Sequence, residues 1–304
     1  MSAQLYLQHF GLEEPPFRLT PATRFLYLGE SMREALNTAC LGLDSGDAFL
    51  KITGQVGLGK TLVCRELLNR LEAPFETAYI PNPRLPPNEL LSAIARELAI
   101  DPPENSPGTD HLMSRIQDRL LERAAAGARV VLLLDEAQTM PDETIETVRL
   151  LTNLESASER LLQLVLLGQP ELDERLAAHH LRQIRSRITH ACTLRPLAVH
   201  EVVDYLRFRQ IVAGRHAGDL FTETAARRLA RHSGGVPRLL NILAHKALLD
   251  AFGRGDGQAR RAHVARAARD TEEARSDARA LPWLAAAIAG SAAGAGLWYS
   301  GLLA

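Results

Sequence analysis

A glycine-rich segment that ends in a lysine and a threonine is the first feature of this sequence that could support chemistry. It reads GQVGLGKT and comprises Gly54, Gln55, Val56, Gly57, Leu58, Gly59, Lys60 and Thr61. The segment fits the pattern G-x-x-x-x-G-K-[ST], in which glycines let successive backbone N–H groups surround phosphate oxygens. A helix that starts directly after the loop adds positive potential there. The pattern therefore predicts a phosphate-binding loop, and a purely structural glycine turn is the alternative.

Two adjacent acidic residues, Asp135 and Glu136, follow the apolar run VVLLL. In nucleotide sites the loop lysine reaches the β- and γ-phosphates, while a hydroxyl and a carboxylate hold Mg²⁺. We therefore predict that Lys60 contacts the phosphates and that Thr61 and Asp135 bind Mg²⁺. Glu136 would then polarise the water that attacks the γ-phosphate. The alternative for the acidic pair is a helix N-cap followed by an acid in the first helical turn.

Three further places could contact a bound triphosphate. Gln169 ends the apolar run LVLLG, and its amide could hydrogen-bond the γ-phosphate or the attacking water; an ordinary turn amide is the alternative. The segment LRQIRSRI holds three arginines that could offset charge on the transferring phosphoryl group or form a solvated face, namely Arg182, Arg185 and Arg187. Arg238 follows the turn sequence GGVP at the start of a predicted helix.

Alternating apolar and amphipathic segments indicate the scaffold that would bring these residues together. Short apolar runs predict strands over 48–53, 76–80, 129–134 and 161–167. Helical patterns cover 60–71, 88–98, 110–125 and 142–154, with Asn88 and Asp110 as predicted N-caps. Strands that alternate with helices predict a mostly parallel α/β sheet. Beyond Pro196 the patterns are helical only, over 199–213, 222–232, 237–252 and 260–270. We therefore predict a core at 1–196 that includes an N-terminal segment 1–45, a helical domain at 197–271 and a linker at 272–280.

The composition is that of a globular protein with no disulfide framework. The chain has 304 residues, of which 46% are hydrophobic and 23% charged, and this mix excludes an intrinsically disordered chain. Cys40, Cys64 and Cys192 are far apart and odd in number, so we expect neither paired disulfides nor a structural zinc site. The net charge of −1 gives no bulk attraction to nucleic acid, so we expect no nucleic-acid partner, although a local basic face is compatible with this total.

The last 24 residues, 281–304, carry no charged side chain and are long enough to cross a bilayer as a helix. Trp283 lies near one end of this stretch, and Trp298 and Tyr299 lie near the other, where aromatic belts occur. Arginines precede the stretch and neither Lys nor Arg follows it, so the positive-inside rule places the preceding domains in the cytoplasm. The alternative is an alanine-rich helix docked on the folded domains or a floppy tail.

The order of these motifs resembles that of the AAA+ ATPases. The resemblance is closer to the ExeA/GspA group of secretion and pilus-assembly ATPases, and within it to the MshM branch that serves the mannose-sensitive haemagglutinin (MSHA) pilus. It extends from Phe10 to about Thr271 and is carried by FGLEEPPFRLTPATRFLYL, FLKITGQVGLGKTLVCRELLNRL, TAYIPNP, LLLDEAQTMPDETIETVRLLTNLE, LVLLGQPELDERL, LRQIRSRI and GGVPRLLNILAHKALL.

The resemblance implies a P-loop AAA+ core followed by a helical lid, with ATP and Mg²⁺ as cofactors. It implies that Gln169 takes the sensor-1 position and that Arg238 contacts the γ-phosphate of its own subunit. Arg187 matches the finger that acts on a neighbouring subunit, with Arg185 and Arg182 as fallbacks, so a homo-oligomeric ring is implied.

The function that this resemblance implies is that of an ATP hydrolase anchored at the cytoplasmic face of the inner membrane by a C-terminal single-pass helix. ATP hydrolysis would drive or gate assembly of a type IV (MSHA-like) pilus or a type II secretion apparatus, together with inner-membrane assembly proteins. One alternative is a DNA-associated AAA+ regulator of the transposition-ATPase type, and another is a nucleotide-dependent scaffold that binds ATP and turns it over very slowly.

Overall fold

A computed structural model describes residues 2–19, 23–47, 49–100, 108–154 and 160–271 of the chain. Their contacts define two compact units. One unit is Leu28–Arg195, and the other consists of the described parts of Met1–Tyr27 and Pro196–Ala304. The described residues among the first 27 therefore group with the C-terminal helices, whereas the sequence-based division placed the whole segment 1–45 with the sheet.

The first unit is built on five parallel strands in the spatial order β2-β3-β4-β1-β5. The strands are β1 (Phe49–Thr53), β2 (Phe75–Ile80), β3 (Arg129–Leu134), β4 (Leu162–Gly168) and β5 (His190–Thr193). Leucine and β-branched residues fill β3 and β4 because helices cover both faces of a parallel sheet. β4 lies between β1 and β3, so the ends of these three strands are neighbours at one edge of the sheet.

The helices of this unit follow the predicted pattern with small shifts at their ends. They are α2 (Glu30–Asp44), α3 (Lys60–Arg70), α4 (Pro87–Glu97), α5 (Thr109–Ala125), α6 (Asp142–Leu151), α7 (Glu171–Leu176) and α8 (Arg182–Arg185). The predicted N-caps Asn88 and Asp110 are wrong, because the caps are Pro86 and Gly108. Proline suits the first helical position, so α4 starts at Pro87. The Asn88 side chain instead accepts a hydrogen bond from Thr109 Oγ1.

The second unit is helical. It contains α1 (Ser2–Phe10), α9 (Val199–Val212), α10 (Glu223–Ser233), α11 (Pro237–Gly253) and α12 (Arg261–Arg269). Phe10 and Phe17 are buried in the same core as the apolar faces of α9–α12. The buried Arg209 of α9 donates a hydrogen bond to the carbonyl oxygen of Pro16 at 2.6 Å, and its guanidinium lies 4.5 Å from the centre of the Phe25 ring. These contacts explain why the N-terminal segment belongs to the helical unit.

No helix within the described residues combines the length and the apolar character that a membrane span requires. The predicted span 281–304 and the predicted linker 272–280 lie outside the described residues.

Candidate nucleotide-binding site

The predicted phosphate-binding loop connects β1 to α3 and ends at the N-terminus of that helix. Gly59 is the N-cap of α3 and has a φ of 98°, in the left-handed region that L-residues with a side chain rarely adopt. The glycine therefore lets the chain turn sharply from the loop into α3. This turn leaves the first N–H groups of an eleven-residue helix available for an anion.

Lys60 is buried, with 5% of its surface exposed, although it carries a charge. Its Nζ donates hydrogen bonds to the carbonyl oxygens of Gly54 at 2.7 Å and Gln55 at 3.2 Å. Burial lowers the pKa of Lys60, and the nearby carboxylates of Glu136 and Asp135 oppose that shift. The ammonium group is thus held by two carbonyl oxygens of the loop itself, which phosphate oxygens could replace.

Thr61 and Asp135 are brought together across the ends of α3 and β3. Thr61 Oγ1 donates a hydrogen bond to Asp135 Oδ2 at 2.7 Å, and the Glu136 N–H donates to Asp135 Oδ1 at 2.9 Å. Burial raises the pKa of Asp135, and these two hydrogen bonds oppose the increase. A hydroxyl and a carboxylate side by side are ligand types that suit Mg²⁺, so these two residues fit the predicted metal site.

Glu136 accepts hydrogen bonds from two glutamine side chains. Gln138 Nε2 donates to Glu136 Oε2 at 2.6 Å, and Gln169 Nε2 donates to the same oxygen at 3.2 Å. Gln138 Oε1 in turn accepts a hydrogen bond from the Gln169 backbone N–H at 3.0 Å. Glu136 has a φ of 52°, a left-handed conformation that costs energy in a residue other than glycine and often marks a functional position. Gln169 reaches Glu136 because β4 lies beside β3.

Gln138 was not predicted from the sequence. The available signal was a polar residue two positions after Glu136, and the structure places it in a short 3₁₀ turn, Ala137–Thr139. Arg175 of α7 holds this turn by donating a hydrogen bond to the Gln138 carbonyl oxygen at 2.6 Å, and it also pairs with Asp142 at the start of α6. Glu136, Gln138 and Gln169 therefore form a hydrogen-bonded cluster, and Arg175 of α7 holds the turn that carries Gln138.

The candidate arginine fingers lie in and after α8. Arg182 and Arg185 are exposed, and Arg187 is half-buried. The side chains of these arginines form neither an ion pair nor a hydrogen bond with any residue that the structure describes. Their guanidinium groups are therefore available to a ligand or to another subunit. The choice of Arg187 as the finger stays a prediction.

Arg238 belongs to the helical unit, where it is the second residue of α11 and is exposed. The turn before α11 is tightly packed, because a Cβ at Gly235 would lie 2.1 Å from the Leu197 carbonyl oxygen. Gly235 also has a φ of 75°, so glycine is required there on both counts. This packing explains the GGVP sequence. Contact of Arg238 with a γ-phosphate stays a prediction.

Comparisons with known proteins agree with this arrangement. Residues 43–176 match the family described as an AAA domain. General secretion pathway protein A of Aeromonas hydrophila is 42% identical over 295 residues, which cover 97% of this chain and 54% of that protein. The chain thus spans about half the length of this curated relative.

Solved structures share the fold at low sequence identity. Cdc6p from Pyrobaculum aerophilum matches with a TM-score of 0.65 and 18% identity, over 83% of this chain and 71% of that one. The Drosophila ORC bound to DNA matches with a TM-score of 0.62 and 20% identity, over 88% of this chain and 65% of that one. The sheet unit therefore has the parallel α/β P-loop fold of the AAA proteins.

Proposed function

We propose that this chain is an ATPase that binds ATP through its phosphate-binding loop and hydrolyses it by attack of water on the γ-phosphorus. The observation that carries the proposal is the convergence of Lys60, Thr61, Asp135 and Glu136 at one edge of the sheet, where β1 and β3 end on either side of β4. In the proposed mechanism Lys60 exchanges its loop carbonyls for phosphate oxygens. Thr61 and Asp135 would hold Mg²⁺, which when bound offsets phosphate charge.

Glu136 is the residue we assign to the attacking water. Both glutamine amides donate to its Oε2, and Oε1 accepts no hydrogen bond from the described residues. Oε1 can therefore accept a proton of the water, whose oxygen forms the new bond to phosphorus as the bond to ADP breaks. Gln138 and Gln169 act as positioning residues in this proposal, because each fixes the orientation of the Glu136 carboxylate.

We further propose that ATP turnover serves assembly of a type II secretion apparatus or a type IV, MSHA-like pilus. The 42% identity to general secretion pathway protein A over nearly the whole of this chain supports the secretion role. The MshM branch, the inner-membrane assembly partners, the position at the cytoplasmic face of the inner membrane and the anchor at 281–304 are parts of the same proposal. They rest on the motif order and on the uncharged C-terminal stretch.

Capture of partners tests this role. A tagged Glu136→Gln chain, expressed at native level and held with ATP, is expected to purify from gently solubilised membranes with inner-membrane secretion or pilus components. Wild-type chain without ATP is the control, because it should lose a partner that depends on the ATP-bound state. Recovery in the soluble fraction with DNA or a DNA-processing protein would contradict both the anchor and the secretion role.

The proposed ring requires Arg187 to act on the ATP bound by a neighbouring subunit. An Arg187→Ala variant is expected to lose at least about a hundredfold of ATP turnover, since a guanidinium finger contributes a large part of transition-state charge stabilisation. Mixing it with the Glu136→Gln variant should restore activity, because some sites then combine an intact glutamate with an intact arginine. Phosphate release measured against mixing ratio reports the recovery.

Arg185→Ala and Arg182→Ala serve as matched controls in the mixing experiment. If one of them behaves as described and Arg187→Ala does not, that arginine is the finger. If no mixture releases phosphate faster than its two variants do separately, hydrolysis does not use an arginine from a neighbouring subunit.

A further inference from the structure

The helical unit carries a cluster of basic side chains on α10 and α12, which pack against each other. We define this basic cluster as Arg228, Arg231 and His232 of α10 together with Arg261 and Arg269 of α12. Arg228 lies three and four positions before Arg231 and His232, so these three residues share one face of α10. Arg261 and Arg269 are the first and last residues of α12. Arg231, Arg261 and Arg269 are exposed.

Acidic partners balance three of the neighbouring arginines but none of those in the basic cluster. Arg227 pairs with Glu223, and both Arg254 and Arg266 pair with Asp250. In contrast, the four arginines of the basic cluster form no ion pair with the residues that the structure describes. The lack of acidic partners distinguishes the basic cluster from Arg227, Arg254 and Arg266.

The charges of the basic cluster lie close enough to repel each other. Burial lowers the pKa of Arg228, and the charges of Arg261, Arg231 and Arg269 lower it further, with no carboxylate in opposition. The pKa of His232 is lowered by burial and then by Arg228 and Arg231. Arg228 Nε is also buried and lacks a hydrogen-bond partner among the described residues. Uncompensated positive charge of this kind is stabilised when an external anion binds.

We propose that the basic cluster binds the phosphate groups of anionic phospholipids at a membrane surface. This inference rests on the membrane-anchored function proposed above. After Arg269, the last residue of α12, the sequence contains three acidic residues (Glu272, Glu273 and Asp277) and two arginines (Arg275 and Arg279) before the uncharged stretch 281–304. Two members of the basic cluster, Arg261 and Arg269, therefore lie on the helix that precedes the predicted linker and the proposed anchor in the sequence. The net charge of −1 gives the rest of the surface no comparable attraction to an anionic bilayer.

Vesicle partitioning of the full chain tests the proposal. Phosphatidylcholine vesicles report binding by the apolar stretch, and vesicles that also contain phosphatidylglycerol report the additional effect of lipid charge. We expect phosphatidylglycerol to increase partitioning of the wild type, and an Arg231→Gln/Arg261→Gln/Arg269→Gln variant to lose at least tenfold of that increase, since each arginine near an anionic surface contributes about fivefold. The matched control is Arg207→Gln/Arg227→Gln/Arg254→Gln, which removes equal charge from ion-paired positions in the same unit.

The outcomes separate this proposal from the anchor. If the cluster variant responds to phosphatidylglycerol as the wild type does, the lipid proposal is overturned. If neither the wild type nor the variants bind vesicles of phosphatidylcholine alone, the proposed anchor is contradicted. The increase in partitioning that phosphatidylglycerol causes still decides whether the basic cluster binds lipid. Binding of a labelled DNA duplex that requires the cluster, combined with partitioning that does not, would assign the cluster to nucleic acid instead.

A second readout applies if the apolar stretch alone saturates binding. Phenylglyoxal modifies accessible arginines, and mass spectrometry resolves each position. Modification of Arg231, Arg261 and Arg269 is expected to be several-fold slower on vesicles with phosphatidylglycerol than on phosphatidylcholine alone. Equal rates on the two kinds of vesicle would overturn the proposal. Arg207 and Arg227 should react at the same rate on both.

Discussion

A Glu136→Gln variant is expected to bind ATP with wild-type affinity and to lose at least about a hundredfold of turnover, the scale of a removed general base. The substitution keeps the size of the side chain and can keep one oxygen facing the amides of Gln138 and Gln169. Its NH₂ group then faces the water position, where it donates a hydrogen bond and cannot accept a proton. Phosphate release at saturating ATP measures turnover, and titration with a fluorescent ATP analogue measures affinity.

The matched control for this variant is Glu143→Gln. Glu143 lies in the first turn of α6 and is exposed, and its side chain makes no ion pair within the described part of the chain. This control should retain both affinity and turnover. Full turnover in Glu136→Gln would remove Glu136 from the mechanism and leave its strained backbone conformation without a catalytic explanation.

The second large effect is expected at Lys60. A Lys60→Ala variant should lose at least about a hundredfold in ATP affinity, because it removes a charge-assisted hydrogen-bond donor from a buried position in the proposed phosphate site. Saturating ATP raises the melting temperature of a protein that binds it in the folded state. We therefore expect ATP to raise the melting temperature of the wild type and to leave that of the variant unchanged.

Lys246→Ala provides the control for lysine removal. Lys246 lies in α11 and contacts Asp270 and Thr271 rather than the phosphate-binding loop. Its removal should leave the ATP-induced shift intact. A normal shift in Lys60→Ala would mean that the loop binds no triphosphate through this lysine, and it would undermine the whole site assignment.

Local patterns predicted much of the sheet unit, because β3 and β4 are nearly continuous apolar runs. RVVLLL and LLQLVLL are too short for typical helices and are predicted to be buried strands, and they form β3 and β4 with end shifts of one residue or less. β5 was missed because HACT is short and alternates half-buried with exposed positions. The helices α2, α7 and α8 were also missed, since α7 and α8 are too short to show a period.

Long-range relations were harder to predict than elements. The spatial order that puts β4 between β1 and β3 is a property of packing, yet it decides that Gln169 meets Glu136. Gln138 acts through a hydrogen bond across a 3₁₀ turn, which no helix or strand period reveals. The grouping of Phe10 and Phe17 with α9–α12 likewise depends on contacts between distant parts of the chain.

That grouping has a consequence for synthesis of the protein. The ribosome releases the N-terminal segment first, but its buried partners in α9–α12 emerge only after the complete sheet unit. His9, for example, contacts the Asp256 carbonyl oxygen across 247 positions of sequence. The sheet unit can fold while Tyr6, Phe10 and Phe17 still lack their burial sites. The nascent chain therefore exposes these aromatic side chains until α9–α12 have been synthesised, and this segment is where a chaperone would be expected to act.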